Sequence, residues 1–353
     1  MRTSSRGRLV AAALKRSWAE TANPTVIFSE SQLDEVTPLL YGSGAAGLGW
    51  WCIRRTDLRE TASGEMLHQA YRLLALQAAI NENKIRKVFR ALRGAGVEPI
   101  LIKGWAVARM YPHTAMRPYG DIDLIVRPGD IPIAIETAAK ELRDCQLDFH
   151  GLPFELSERS IEELFSRSRL VSCGDESVRV LSPEDHFALL AVHLLKHGAW
   201  RPLWLCDLAV LLEAMSSDFE WEVCLGADKR RVNWILAAAG VARELLGAEI
   251  VDKRNSERIP KAPEWLSQQI LKGWETPFVE MQEPFRHRAP ISFYLRRPGG
   301  LLQDLVRRWP NPIVATISVH GTFGSHRRLR YELGNWILRS RRLFDDLMNP
   351  VGM

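Results

Sequence analysis

A chain of 353 residues has room for one large domain or two ordinary ones, with ample material for a core. Hydrophobic residues make up 46% and charged residues 25%, a globular profile, and no continuously apolar, charge-free stretch reaches the eighteen residues that would suggest a membrane span. The net charge of +5 is mild for this length; it is compatible with a triphosphate or nucleic-acid partner and demands neither. The five cysteines (Cys52, Cys145, Cys173, Cys206, Cys224) are odd in number, dispersed and free of C-x-x-C pairs. They favour a reducing cytoplasm over a disulfide framework or a cysteine zinc site. The basic start, Met1 to Arg8, leads into a short apolar run that ends at Lys15-Arg16, which reads as a helix and not as a signal peptide.

Residues 1 to about 60 read as helical, with Gly42-Ser43-Gly44 and Gly47-Leu48-Gly49 punctuating the approach to Trp50-Trp51. From about Glu65, Leu67, Tyr71, Leu74, Ala78, Ile85, Val88, Phe89 and Leu92 form a helical stripe that Gly94 and Gly96 end. Pro99 to Lys103 is a short apolar run bounded by Pro and Gly, the pattern of a buried strand. A short helix from Gly104 to Met110 and a loop from Tyr111 to Gly120 follow. Asp121-Ile122-Asp123-Leu124-Ile125-Val126 then alternates as a strand, and Asp130 is placed to cap a helix from Ile131 to Leu142. Gln146 to His150 reads as a third strand, and Leu170 to Leu181 as a strand or hairpin.

Beyond this point the pattern is helical. Ser182-Pro183-Glu184-Asp185 combines a capping hydroxyl, proline at the first helical position and acids in the first turn. That helix is predicted to run to about His197 and stop at Gly198. Further helices cover about Pro202 to Met215 and Asn233 to Leu246, a charged linker runs from Val251 to Pro263, and the rest is mixed and mostly helical. The expected organisation is an N-terminal helical region (1–64), a core carrying the strands (65–181), a helical domain (182–250) and a C-terminal mostly helical region (251–353).

The chemistry concentrates on Asp121 and Asp123. Residues i and i+2 of a strand share a face, about 7 Å apart along the backbone, so two carboxylates there can converge on metal ions. Ile122 between them belongs to the core, and a one-residue slip would bury both acids. Mg²⁺ (or Mn²⁺) suits carboxylates together with substrate phosphate oxygens. A third carboxylate is expected to complete such a site, and Asp148, between Leu147 and Phe149, is the candidate.

These residues carry a resemblance. Residues 100 to 150 resemble the nucleotidyltransferase superfamily of the polymerase-β type. More narrowly they resemble the bacterial family of uncharacterised nucleotidyltransferases, through Lys103-Gly104, Tyr111-Pro112, Arg117, Asp121-Ile122-Asp123 and Asp148-Phe149-His150. The likeness continues through Leu181-Ser-Pro-Glu-Asp185, His193-x3-His197-Gly198, Trp204 and Asp207, so it covers about residues 65 to 215. It implies an α+β fold: a small mixed β-sheet nucleotidyltransferase core with a helical second domain and helical flanks. It also implies a Mg²⁺-dependent cytoplasmic enzyme that moves a nucleoside monophosphate from a nucleoside triphosphate, with ATP expected, onto a hydroxyl-type acceptor. That acceptor would be a small molecule, peptide or protein, and the family's association with bacterial peptide natural-product clusters implies a biosynthetic setting. Catalytic and metal-binding roles fall to Asp121, Asp123 and Asp148, and contacts to the triphosphate to Lys103, Gly104 and Arg117, although Arg117 reads equally as a salt bridge that anchors its loop. One departure is Trp105, where Gly-Ser or Gly-Gly is usual; phosphate contacts there are expected from backbone amides and the Lys103 charge.

His193 and His197 lie one helical turn apart and so share a face. With Asp207 on the next helix they are expected either to form a nucleotide or metal site or to make a structural network in which the histidines bond Asp207. His113 on the 111–120 loop reads as exposed. Arginine groups at 296–297, 307–308, 327–330 and 339–342 read first as solvated faces and second as a polyanion-facing surface. They keep two alternatives in view: an RNA-directed nucleotidyltransferase or toxin, and a non-catalytic nucleotide-binding partner. A nucleic-acid partner is the lesser expectation.

Overall fold

The structure is a computed structural model that describes residues 5–19, 28–250, 253–276, 309–325 and 328–348. Its centre is a five-stranded mixed sheet in the order β3-β2-β1-β5-β4: β1 Ile100–Ile102, β2 Ile122–Ile125, β3 Leu147–His150, β4 Arg169–Cys173 and β5 Glu176–Val180. Strand β1 runs antiparallel to β2 and parallel to β5, β2 is parallel to β3, and β4 and β5 form a hairpin. With the helices around it, this is the α+β arrangement expected from the sequence, a small mixed sheet with helical flanks.

The period of two divides the sheet between two cores. Leu101, Ile122, Leu124 and Val126 pack with Ile85, Val88, Phe89 and Leu92 of helix α4 (Ala62–Gly94) and with Ala134 of α6 (Ile131–Glu141). Ile100, Ile102 and Ile125 join a larger core on the other face. That core is shared by α1 (Arg6–Leu14), α2 (Glu30–Gly42), α3 (Ala46–Ile53), α8 (Pro183–Lys196), α9 (Pro202–Glu213) and α11 (Lys229–Leu246). Helix α4 bridges both cores, since Leu67 and Ala70 near its start belong to the larger one. At 33 residues it extends about 50 Å at the α-helical rise.

Local signals explain most boundaries. Thr61 caps α4 by accepting the Gly64 N–H, and Ser182 caps α8 by accepting the Asp185 N–H, with Pro183 opening the helix. Differences also have local reasons. Asp130 does not cap α6 through its side chain, because the 3-10 turn Pro128–Asp130 already runs into the helix with Asp130 in the αR region. Helix α7 (Ile161–Arg167) was not expected, yet Ser160 and Glu163 make a reciprocal capping box at its start. Helix α11 starts at Lys229 because Asp228 caps it, and part of the expected linker forms the short helix α12 (Lys253–Arg258). The five cysteines are free. Among the described residues no helix is long and apolar enough to cross a membrane. Of the late arginines, Arg296, Arg297, Arg307, Arg308 and Arg327 lie outside the described residues, as do the side chains of Arg341 and Arg342.

The loop from Tyr111 to Gly120 is held on two sides. On one, Asn81 of α4 donates from Nδ2 to the Tyr119 carbonyl at 2.6 Å. On the other, Arg117 grips Asp207 of α9, Nε to Oδ1 at 3.1 Å and Nη2 to Oδ2 at 2.8 Å, while the Tyr111 hydroxyl donates to Oδ1 at 2.9 Å. Asp207 is fully buried and Arg117 nearly so. Burial opposes the Arg117 charge, but Asp207 outweighs it and holds the guanidinium pKa above its usual value. Replacing Asp207 by Ala strands that charge and should cost about 3–5 kcal/mol of folding stability, read by urea denaturation; a loss below about 1 kcal/mol would show that the pair does not anchor the loop.

Candidate active site

Register brings the acids together. On the parallel β2–β3 pair Asp123 lies directly opposite Asp148, and Ile125 opposite His150. The alternation then puts Asp123, Asp148 and His150 on one face, the face of Ile100 and Ile102 and of α8. His150 Nε2 stands 3.1 Å from Asp123 Oδ1 and 3.2 Å from Asp148 Oδ2, so one imidazole bridges both carboxylates. Lys103 Nζ donates to the same Asp123 oxygen at 3.0 Å. Asp123 is buried and Asp148 exposed. Burial alone would raise the Asp123 pKa, but the hydrogen bond from His150 and the Lys103 charge prevail and hold it below the usual carboxylate range.

Lys103 reaches this position through an uncommon backbone. It has φ 56° and ψ −152°, and Gly104 follows with φ 44°. A side-chain-bearing residue in that region costs about 1–3 kcal/mol, and such strain persists where its surroundings enforce it. Helix α5 (Gly104–Ala108) begins there. Trp105 turns its indole into the core under α4, on the other side of the sheet from Asp123, and donates from Nε1 to Glu82 Oε1 at 3.2 Å. Its bulk is therefore not in the acid-bearing cleft.

Asp121 is exposed just before β2 and does not enter the Asp123–Asp148–His150 cluster. Arg117, expected at the triphosphate, is instead committed to Asp207, with its remaining Nη1 on the Pro118 carbonyl. Asp207, expected beside the histidines of α8, hydrogen-bonds neither of them, because Arg117 and Tyr111 satisfy it. His113 is exposed, as expected, and packs its ring against Trp51.

The histidines have a different carboxylate. His193 Nδ1 lies 3.3 Å from Glu155 Oε1, and Lys196 Nζ lies 3.1 Å from the same oxygen. The His193 and His197 rings are 4.5 Å apart, with the Trp204 indole tilted or edge-on beside both. Glu155 was not singled out from the sequence; its only signal is an acid inside the apolar run Leu152 to Leu156 immediately after the acid-bearing strand. The two clusters are near enough to sense each other: burial chiefly lowers the His193 pKa, and Lys103 lowers it further while Asp123 opposes.

A groove of about 500 Å³ lies elsewhere, on α4 beyond the opposite side of the sheet, lined by Arg86, Lys87, Arg90, Glu141 and Asp175 among others. Its cations are already paired: Arg86 with Asp175 at 2.9 Å, Lys87 with Asp144 at 2.7 Å and Arg90 with Glu176 at 3.0 Å. It reads as a solvated ion-pair face, far from the acids.

The mixed sheet thus presents acids from two neighbouring strands toward a helical wall, with a Lys-Gly turn at the end of its central strand, as expected of a nucleotidyltransferase core. The family model described as uncharacterised nucleotidyltransferase matches residues 29–144 and 137–247, more than half of the chain, and the chain belongs to that family. No curated protein and no solved structure matches it.

Two outcomes test this geometry. Lys103→Gly should be about 1–3 kcal/mol more stable than Lys103→Ala in chemical denaturation, because both lose the ammonium and only glycine relieves the backbone. Equal stabilities would mean that the turn relaxes. The second concerns α8. Burial, helped by Arg109 and Arg117, pushes the His186 pKa down to about 3; burial, with His193 and Lys196, pushes that of His197 down to about 4. Both are below the unfolded value, so the unfolded chain takes up protons first. The stability they contribute is complete above about pH 6.5 and is lost as pH falls from there toward 4, on the order of 3 kcal/mol for fully buried His186 and less for the partly exposed His197. His186→Phe should flatten the decline; a stability independent of pH across that window contradicts it.

Proposed function

We propose that the protein is a divalent-metal-dependent nucleotidyltransferase that moves a nucleoside monophosphate from a nucleoside triphosphate, ATP in the first instance, onto a hydroxyl-bearing small molecule, peptide or protein. The observation that carries this reading is the register of Asp123 opposite Asp148, with Lys103 closing on Asp123.

The donor set fits a hard cation: Asp123 and Asp148 offer carboxylate oxygens from adjacent strands, and the exposed Asp121 carboxylate can approach from the edge of β2. Bound Mg²⁺ or Mn²⁺ would neutralise the triphosphate and acidify the acceptor hydroxyl. Asp148, the more exposed acid, takes the proton of the acceptor hydroxyl. The acceptor oxygen forms its bond to the α-phosphorus as the bond to the bridging oxygen of the β-phosphate breaks, and pyrophosphate leaves. Lys103 and the backbone amide of Gly104 hold the triphosphate; with Asp123 and Asp148 holding a divalent cation, the Lys103 ammonium would be free to turn from Asp123 to the phosphates. Arg117 contributes by fixing the loop that delivers β2, through Asp207, and not by touching phosphate.

Each α-labelled nucleoside triphosphate is to be incubated with the protein, Mg²⁺ or Mn²⁺ and host-cell extract. Wild type should transfer label to a discrete acceptor, and Asp121→Ala/Asp123→Ala and Asp148→Ala should each lower transfer by at least about 100-fold. Equal labelling by the variants would overturn the assignment, and the nature of the labelled species gives base and acceptor class together.

A further inference from the structure

We propose that Glu155, His193 and His197 form a second metal site, distinct from the strand acids and selective for a borderline transition dication such as Zn²⁺. Each offers one ligand atom, and these atoms all lie within 4.8 Å of one another. Two imidazoles and one carboxylate are the donors of a zinc site that keeps a fourth position open, whereas a Mg²⁺ site is built from oxygens. Ligands at about 2.0–2.2 Å from a tetrahedral ion stand about 3.3–3.5 Å apart. His193 Nδ1 and Glu155 Oε1 are already 3.3 Å apart.

The site is built and not improvised. His193 and His197 project from one face of α8, one turn apart, and Trp204 walls both rings from α9. Glu155 is buried, and its turn is pinned from beneath by Arg231, which donates to the Phe154 carbonyl, to the Glu155 carbonyl at 2.6 Å and to Ser157 Oγ at 2.8 Å. Such support is what a preorganised ligand needs. Lys196 supplies the cation that Glu155 meets in this structure, at 3.1 Å; its side chain is 40% exposed, so it can swing to solvent when a dication takes its place.

The test uses full-length protein freed of metal, titrated with Zn²⁺ against a chromophoric chelator. Wild type should bind one equivalent tightly. His193→Ala, His197→Ala and Glu155→Gln should each weaken binding by more than about 100-fold, above the range for outer-shell partners, while Asp123→Asn/Asp148→Asn retains it. X-ray absorption of the zinc-loaded wild type needs no variant: scattering from two imidazoles supports the assignment. A single imidazole, which is what the Asp123–Asp148–His150 cluster would supply, overturns it, and so does the absence of one-equivalent binding. Zinc affinity is read without any transfer assay, so its failure and that of the proposed transfer are separable.

Discussion

A carboxylate with no solvent contact survives in a protein interior only where its charge is met, and Asp207 is met by Arg117 with two-point geometry and by the Tyr111 hydroxyl. These partners lie ninety or more positions apart in the chain, and their contact ties the loop before β2 to α9. The tie falls on the loop that feeds β2. Asn81 and Tyr119 hold the same loop from the α4 side, so its exit into β2 is fixed from both directions. The position of Asp123 relative to α8 follows from these two clamps. Because each is made by buried polar groups with specific partners, slippage would leave a charge or amide unsatisfied.

Within that frame the acid face is an exercise in keeping a buried carboxylate ionised. Burial works against Asp123. Lys103 and His150 offset it, one from the end of β1 and the other from β3. The uncommon backbone at Lys103 then has a physical reason: a lysine continuing β1 in extended conformation would not fold back over β2 at the point where α5 must begin. Strain at that turn is offset by the ion pair it makes possible.

Much of this was legible in the sequence because it depends on period and local chemistry. The alternation from Asp121 to Val126 placed Asp121, Asp123 and Ile125 on one face and Ile122, Leu124 and Val126 on the other, and the two cores divide Ile125 from Ile122, Leu124 and Val126 in the same way. The Ser-Pro-Glu-Asp start of α8 and the Gly198 stop are equally local. What escaped was partner choice across long separations. An arginine near an acid-bearing strand is a reasonable phosphate ligand by residue type, and only the packing of α9 shows Asp207 claiming it first. The same contact removed Asp207 from the histidines and left them to Glu155, whose position after β3 carries no periodic signal. Trp105 is the converse case: it departs from the usual small residue, yet its indole packs under α4 on the side of the sheet away from Asp123.

The two clusters share a design. In each, a lysine ammonium sits 3.0 to 3.1 Å from a buried carboxylate oxygen that also contacts an imidazole. A monovalent ammonium on a flexible stem satisfies such an oxygen while remaining displaceable, which a guanidinium in a two-point pair would not be. The contrast with Arg117–Asp207 follows directly. Where the fold requires permanence it uses arginine, at 6% exposure. Over the two carboxylates that also contact an imidazole it uses lysine, at 19% exposure over Asp123 and 40% over Glu155. The gradient in exposure orders the three pairs by how readily the resting cation can withdraw, and it makes Glu155, on the turn after β3, the more readily released of the two lysine-paired carboxylates. Lys196 can leave into solvent at little cost, whereas Lys103, the less exposed of the two, is held over Asp123 by the turn that precedes Gly104.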